Sequence, residues 1–171
     1  MSRIYKLIFL PFFILGCKPN VIEENKIIQR INNLDMNVFS MRGEKIYSIT
    51  SPYSSFDKNQ LKFQSKNTNI NIFNGEEIKY IINSDESTLS DNNKLLKLTG
   101  NVKLKIFKRD EDTLYADNFI WNIEETNYVL QGNIRFENKN IILNSSKARL
   151  DSDNIIEFFN PVKYIIKDEN N

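Results

Sequence analysis

Histidine is missing from all 171 residues, and cysteine occurs once, at position 17. The first absence removes the commonest general base and the commonest metal ligand. The second excludes an internal disulfide and any thiolate cluster. With 5 glycines and 4 prolines, the chain has no glycine-rich phosphate loop. It also lacks a surplus of one charge, with 23 basic against 22 acidic residues. Setting aside residues 1–16 removes Arg3 and Lys6 and leaves 21 against 22. Such a balance offers nucleic acid no attraction. No nucleophile–base pair is readable either, so the expectation is a non-enzyme without a cofactor. The cluster Asp110-Glu111-Asp112 follows Lys108-Arg109 between strands and reads as a solvated loop.

A spanning helix needs about 20 apolar residues, and no run reaches that length. The longest, Leu7 to Leu15, is interrupted by Pro11, preceded by Arg3 and Lys6, and closed by Gly16-Cys17. That is the layout of a signal peptide. Ile14-Leu15-Gly16-Cys17 resembles a bacterial lipobox, in which the cysteine is lipidated and becomes the mature N-terminus. The expected organisation is a lipoprotein signal peptide over 1–16 and a lipid-anchored tether over 17–38. A single domain over 39–168 and a tail over 169–171 follow.

Past Met41 the apolar residues alternate. Val102, Leu104 and Ile106 alternate with Lys103 and Lys105, Ile134 and Phe136 with Arg135 and Glu137, and Val162, Tyr164 and Ile166 with Lys163 and Lys167. Period two means strands with one buried and one wet face. A unit repeats beneath this pattern. Thr88-Leu89, the turn Asp91-Asn92-Asn93 and Leu96 to Leu104 form one copy. Asn118-Phe119, a turn at 124–127 and Tyr128 to Phe136 form the next. Arg149-Leu150, the turn Asp151 to Asn154 and Ile156 to Tyr164 form a third. Asp and Asn suit such turns because they tolerate left-handed backbone. Gly100, Gly132 and Pro161 stand where a bulge or bend would break each long strand. Units of this kind must stack to bury their apolar faces.

Leu98-Thr99-Gly100-Asn101-Val102 and Gly132-Asn133-Ile134 resemble the strand break of the LptA/LptC/OstA family. The segment from Gly43 to Ser51, with Tyr53 and Phe56, is similar to the opening strands of LptC in particular. The resemblance spans about residues 39–167. It implies an all-β, open, twisted jellyroll of repeated strand–turn–strand units. It also implies a periplasm-facing carrier that accepts lipopolysaccharide or a related glycolipid from an inner-membrane ABC transporter. The lipid would then pass to a periplasmic LptA/OstA-like bridge domain. The lipobox departs from the family's usual membrane-spanning anchor. A lipid anchor would serve the same end, on the inner rather than the outer membrane, although Lys18 is not the retaining residue of enteric bacteria.

The inward series Leu98, Val102, Leu104, Ile106, Phe119, Trp121, Ile134, Phe136, Val162 and Tyr164 provides candidates for a lipid groove. The same residues would fill the core of any β-sandwich, and periodicity does not separate the two. Val162, Tyr164 and Ile166 are also candidates for an edge that pairs with a partner, while Lys163 and Lys167 could equally protect that edge. The alternative function is a structural or assembly lipoprotein that binds envelope proteins through strand edges.

Overall fold

The computed structural model describes residues 27–107, 112–125, 127–159 and 162–167. Cys17 with its lipobox, residues 108–111, Pro161 and the tail from 168 lie outside them. Ten strands and no helix occur among the described residues. They are β1 (Ile28–Phe39), β2 (Lys45–Asp57), β3 (Lys62–Asn74), β4 (Glu77–Ser90) and β5 (Leu95–Ile106). Then come β6 (Thr113–Asn122), β7 (Tyr128–Glu137), β8 (Ile141–Leu150), β9 (Ile156–Phe159) and β10 (Lys163–Ile166).

The strands form one antiparallel sheet in chain order, and β9 and β10 both pair with β8 as two parts of one last strand. Turn chemistry explains the reversals. Asp91, Asn92 and Asn93 all adopt left-handed backbone between β4 and β5. Asp57 Oδ1 accepts from the amides of Asn59 and Gln60 at 3.0 and 3.2 Å between β2 and β3. The sheet does not close: β1 is one edge, and β9 with β10 is the other.

Pairing lapses at one aligned position in strand after strand. The gaps fall between Thr50 and Tyr53, Asn83 and Glu86, Thr99 and Val102, Tyr115 and Asn118, and Gln131 and Ile134. This line of breaks is a corner, and each long strand contributes to two wings, one on either side of it. The first wing carries the turns at 40–44 and 74–76; the second carries those at 58–61, 91–94 and 151–155. Ring contacts across the interior show that the wings face each other. Tyr47 of the first meets Trp121 of the second edge-on at 5.5 Å, and Tyr80 meets Tyr128 likewise at 5.3 Å.

The corner is built twice from the same parts. Gly100 and Gly132 have φ of 78° and 74°, and the following Asn101 and Asn133 are left-handed too, at 44°. A Cβ on Gly100 would lie 2.7 Å from Asp85 Oδ2, and one on Gly132 would lie 2.5 Å from Asp117 Oδ2. Glycine is therefore required there by conformation and by space.

One expectation needs correction. The tether predicted for 17–38 gives way to β1 from Ile28 onward, paired with β2 from Ile28↔Asp57 to Phe39↔Lys45. Asn33, with φ of 55°, shifts the alternation by one residue. Ile31 is half-buried before it, and Leu34, Met36 and Val38 after it. The inward parity changes at Asn33, so a fixed period of two does not detect the strand.

Candidate functional site

The register places the inward residues in rows that run across the strands. One row in the first wing is Met36, Ile49, Ile70 and Ile82 on β1 to β4. It continues as Leu104, Leu114, Phe136, Leu143 and Tyr164 on β5 to β8 and β10. No polar side chain interrupts it in nine strands. The matching row in the second wing is mixed. It runs Ile31, Ser54, Ser65 and Ser87, then Leu98, Phe119, Leu130, Ala148 and Phe158. Its buried serines are satisfied locally: Ser54 Oγ donates to Ser65 Oγ at 2.9 Å, and Ser87 shares a 2.9 Å bond with Thr68.

Eight of the ten predicted groove residues lie in this interior. Leu98, Val102, Leu104, Ile106, Phe119, Trp121, Ile134 and Phe136 are all buried, Phe136 the most exposed of them at 8%. In this conformation they pack as a core. Val162 and Tyr164 do not join them, being 40% and 67% exposed. Tyr164 is opposite Leu143 and so keeps the inward parity. It is uncovered because β10 is a four-residue strand at the end of the sheet, with a neighbour on one side only. Ile166, opposite Ile141, is 68% exposed for the same reason. The uninterrupted apolar row thus ends at the sheet edge in solvent-exposed residues. Lys167 Nζ ties this edge to Glu137 Oε1 and to the Asn138 carbonyl, both at 2.9 Å. That contact holds the Glu137 carboxyl below its usual range, with Arg135 adding to the effect.

The far margins of the two wings meet in a seam that the alternation did not reveal. Tyr80 Oη donates to Asn154 Oδ1 and, at 3.2 Å, to the Asp151 carbonyl, while Lys79 Nζ donates to the Ser152 carbonyl. Burial lowers the Lys79 ammonium, and Asp153 and Asp151 pull against that shift. Inside the seam lie Tyr47, Trp121 and Tyr128. Burial pushes the hydroxyls of Tyr47 and Tyr128 up to about 12, so both stay neutral near pH 7. The Tyr47 hydroxyl is buried and has no hydrogen-bond partner among the described residues. Such a group costs about 1–3 kcal/mol of unreturned desolvation.

The site therefore offers an apolar interior between two wings, a side-chain seam along one margin and strand edges at both ends. Among the described residues it aligns no nucleophile with a base, and it could hold a flexible apolar chain if the wings moved apart. The family profile described as lipopolysaccharide-assembly, LptC-related, matches residues 15–166. The chain belongs to the LptC-related family. A solved structure of similar fold is LptH from Pseudomonas aeruginosa, described as the LptA-homologous periplasmic component of a lipopolysaccharide transport device. It superposes with a TM-score of 0.56 at 11% identity, over 71% of this chain and 95% of that one. The likeness shows the shared fold, an open all-β jellyroll. No curated protein sequence matches this LptC-related chain.

Proposed function

We propose that this protein carries lipopolysaccharide or a related glycolipid across the periplasm, held to a membrane by a lipid on Cys17. It accepts the lipid from an inner-membrane ABC transporter and passes it to a bridge domain of LptA type. Membership of the LptC-related family supports this reading. The observation that carries it is the apolar row from Met36 to Tyr164, unbroken over nine strands and uncovered at its last residue. Each CH2 of an acyl chain moved from water onto such a surface contributes about 0.8 kcal/mol. A scaffold that bound only proteins could interrupt this row with polar residues and would have no need to carry it to an exposed edge.

A photo-crosslinker at Leu104, Phe119 or Phe136 captures the glycolipid in cells on this reading. Absence of adducts at all three in a folded protein counts against it. The second reading, an assembly lipoprotein, draws on the unpaired edges β1 and β10. Depletion separates the two: losing a carrier stalls glycolipid at the inner membrane, and losing a scaffold does not. Substituting Cys17→Ala leaves an unprocessed, unlabelled precursor in an acyl-labelling experiment; normal processing with full acyl label would show the lipobox reading to be mistaken.

A further inference from the structure

Two inward tyrosines share a cross-strand row in the first wing, Tyr47 on β2 and Tyr80 on β4, with Ile72 between them. Both are fully buried. The fold supplies Tyr80 with two acceptors from the β8–β9 turn, and it supplies the Tyr47 hydroxyl with none among the described residues. The Tyr47 ring is held edge-on against Trp121 of the opposite wing. A neutral donor is thus fixed at the contact between the wings, left unbonded while the polar groups of its neighbours Tyr80 and Trp121 are paired.

We propose that Tyr47 recognises a polar atom carried on a lipid chain, a hydroxyl or an ester or amide carbonyl, when that chain lies between the wings. The inference rests on the lipid-carrier reading above and names a specificity-determining residue for it. In the packed form the hydroxyl is dehydrated and unbonded, which raises the energy of that form. A chain that parts the wings and presents an acceptor satisfies it. A ligand shifts an equilibrium only by its differential interaction with the two states, and this hydrogen bond exists in one of them alone. A plain hydrocarbon gains nothing from it. Tyr47 thereby favours acyl lipids bearing oxygen over hydrocarbon of equal length.

The test uses the full chain and two fluorescent probes, dodecylpyrene and methyl pyrenedodecanoate, which differ by one ester group. The wild type binds the ester about tenfold more tightly, the change expected from one hydrogen bond of about 1.4 kcal/mol. Tyr47→Phe abolishes that preference, leaves dodecylpyrene binding unchanged and melts at the same or a higher temperature. A purely structural role for the hydroxyl would lower the melting temperature and weaken both probes together, which overturns the proposal. An ester preference retained by Tyr47→Phe overturns it alone. Failure of the wild type to bind either probe overturns the lipid-carrier reading along with it.

Discussion

Asn101 Nδ2 donates to Asp85 Oδ2 across the corner at 2.8 Å, and Asn133 does the same to Asp117 at 2.9 Å one repeat later. In each case the aspartate lies sixteen residues before the asparagine and closes against the glycine that precedes it. The corner is thus a three-residue device of Asp, Gly and Asn, used twice.

The device predicts a steep response at its glycines. Gly100→Ala and Gly132→Ala each place a Cβ within 2.7 Å of a carboxylate oxygen at a φ above 70°. Each is expected to lose about 2 kcal/mol in urea unfolding, from left-handed strain of about 1–2 kcal/mol plus the contact. Adding Asp85→Ala to Gly100→Ala removes the oxygen at 2.7 Å but keeps a Cβ at 3.1 Å and gives up the Asn101 hydrogen bond, so it should return little of the loss. Changes below about 0.5 kcal/mol in both single variants would mean the corner tolerates side chains there.

Burial separates the ten predicted groove residues into two groups with different stability signatures. Phe119→Ala should cost about 3–5 kcal/mol and Leu104→Ala about 2–5 kcal/mol, as buried truncations do. Tyr164→Ala should stay within about 0.5 kcal/mol, as exposed substitutions do. Denaturant midpoints at constant slope measure all three. A large loss for Tyr164→Ala would place that ring in a core it does not occupy here.

The Glu137–Lys167 contact at the β10 edge makes a pH prediction. Lys167 and Arg135 hold the folded carboxyl below the usual 4.5. A depressed carboxylate contributes stability above its unfolded pKa and loses it as pH falls through the folded one. Glu137→Gln is therefore less stable than wild type at pH 7, and the difference vanishes as pH falls below about 4.5. Added salt shrinks the pH 7 difference, because both partners reach water. Parallel thermal melts at pH 7 and pH 3 check it; an equal difference at both would remove the ion pair as the cause.

A fourth prediction concerns the edge itself. Tyr164→Pro withdraws a backbone donor from a four-residue edge strand. On the carrier reading proposed above, co-purification of a bridge domain of LptA type is lost, while the far-ultraviolet spectrum and melting temperature change little. Unchanged co-purification would refute β10 as the joint.

Much of the fold was legible because the core repeats alternate strictly. Leu98, Val102, Leu104, Ile134 and Phe136 each follow a period of two, and each is buried. β1 was illegible because Asn33 reverses its inward parity midway, so Ile31 and Leu34 fall out of phase. Tyr164 keeps the inward phase and still meets water, since phase reports which face a residue occupies and not whether anything covers that face. The seam residues Tyr47 and Tyr80 carry no local signal; their partners, Trp121 and Asn154, are more than seventy positions away. Asp85 and Asp117 did leave a trace, in the constant spacing to Gly100-Asn101 and Gly132-Asn133, but a relation between paired strands shows only once the register is known.

Because each of β2 to β8 bonds to the strand made just before it, the sheet can be assembled in the order in which the chain is made. Each hairpin needs only the segment already made, so loop-closure entropy stays small at every step. A growing edge offered to the next strand is also the edge most exposed to misassembly. The completed wings are then joined late, when the β8–β9 turn arrives beneath Lys79 and Tyr80. Synthesis and sheet assembly can thereby run in the same direction, and the seam at Tyr80 can close only once β8 and the turn after it are in place.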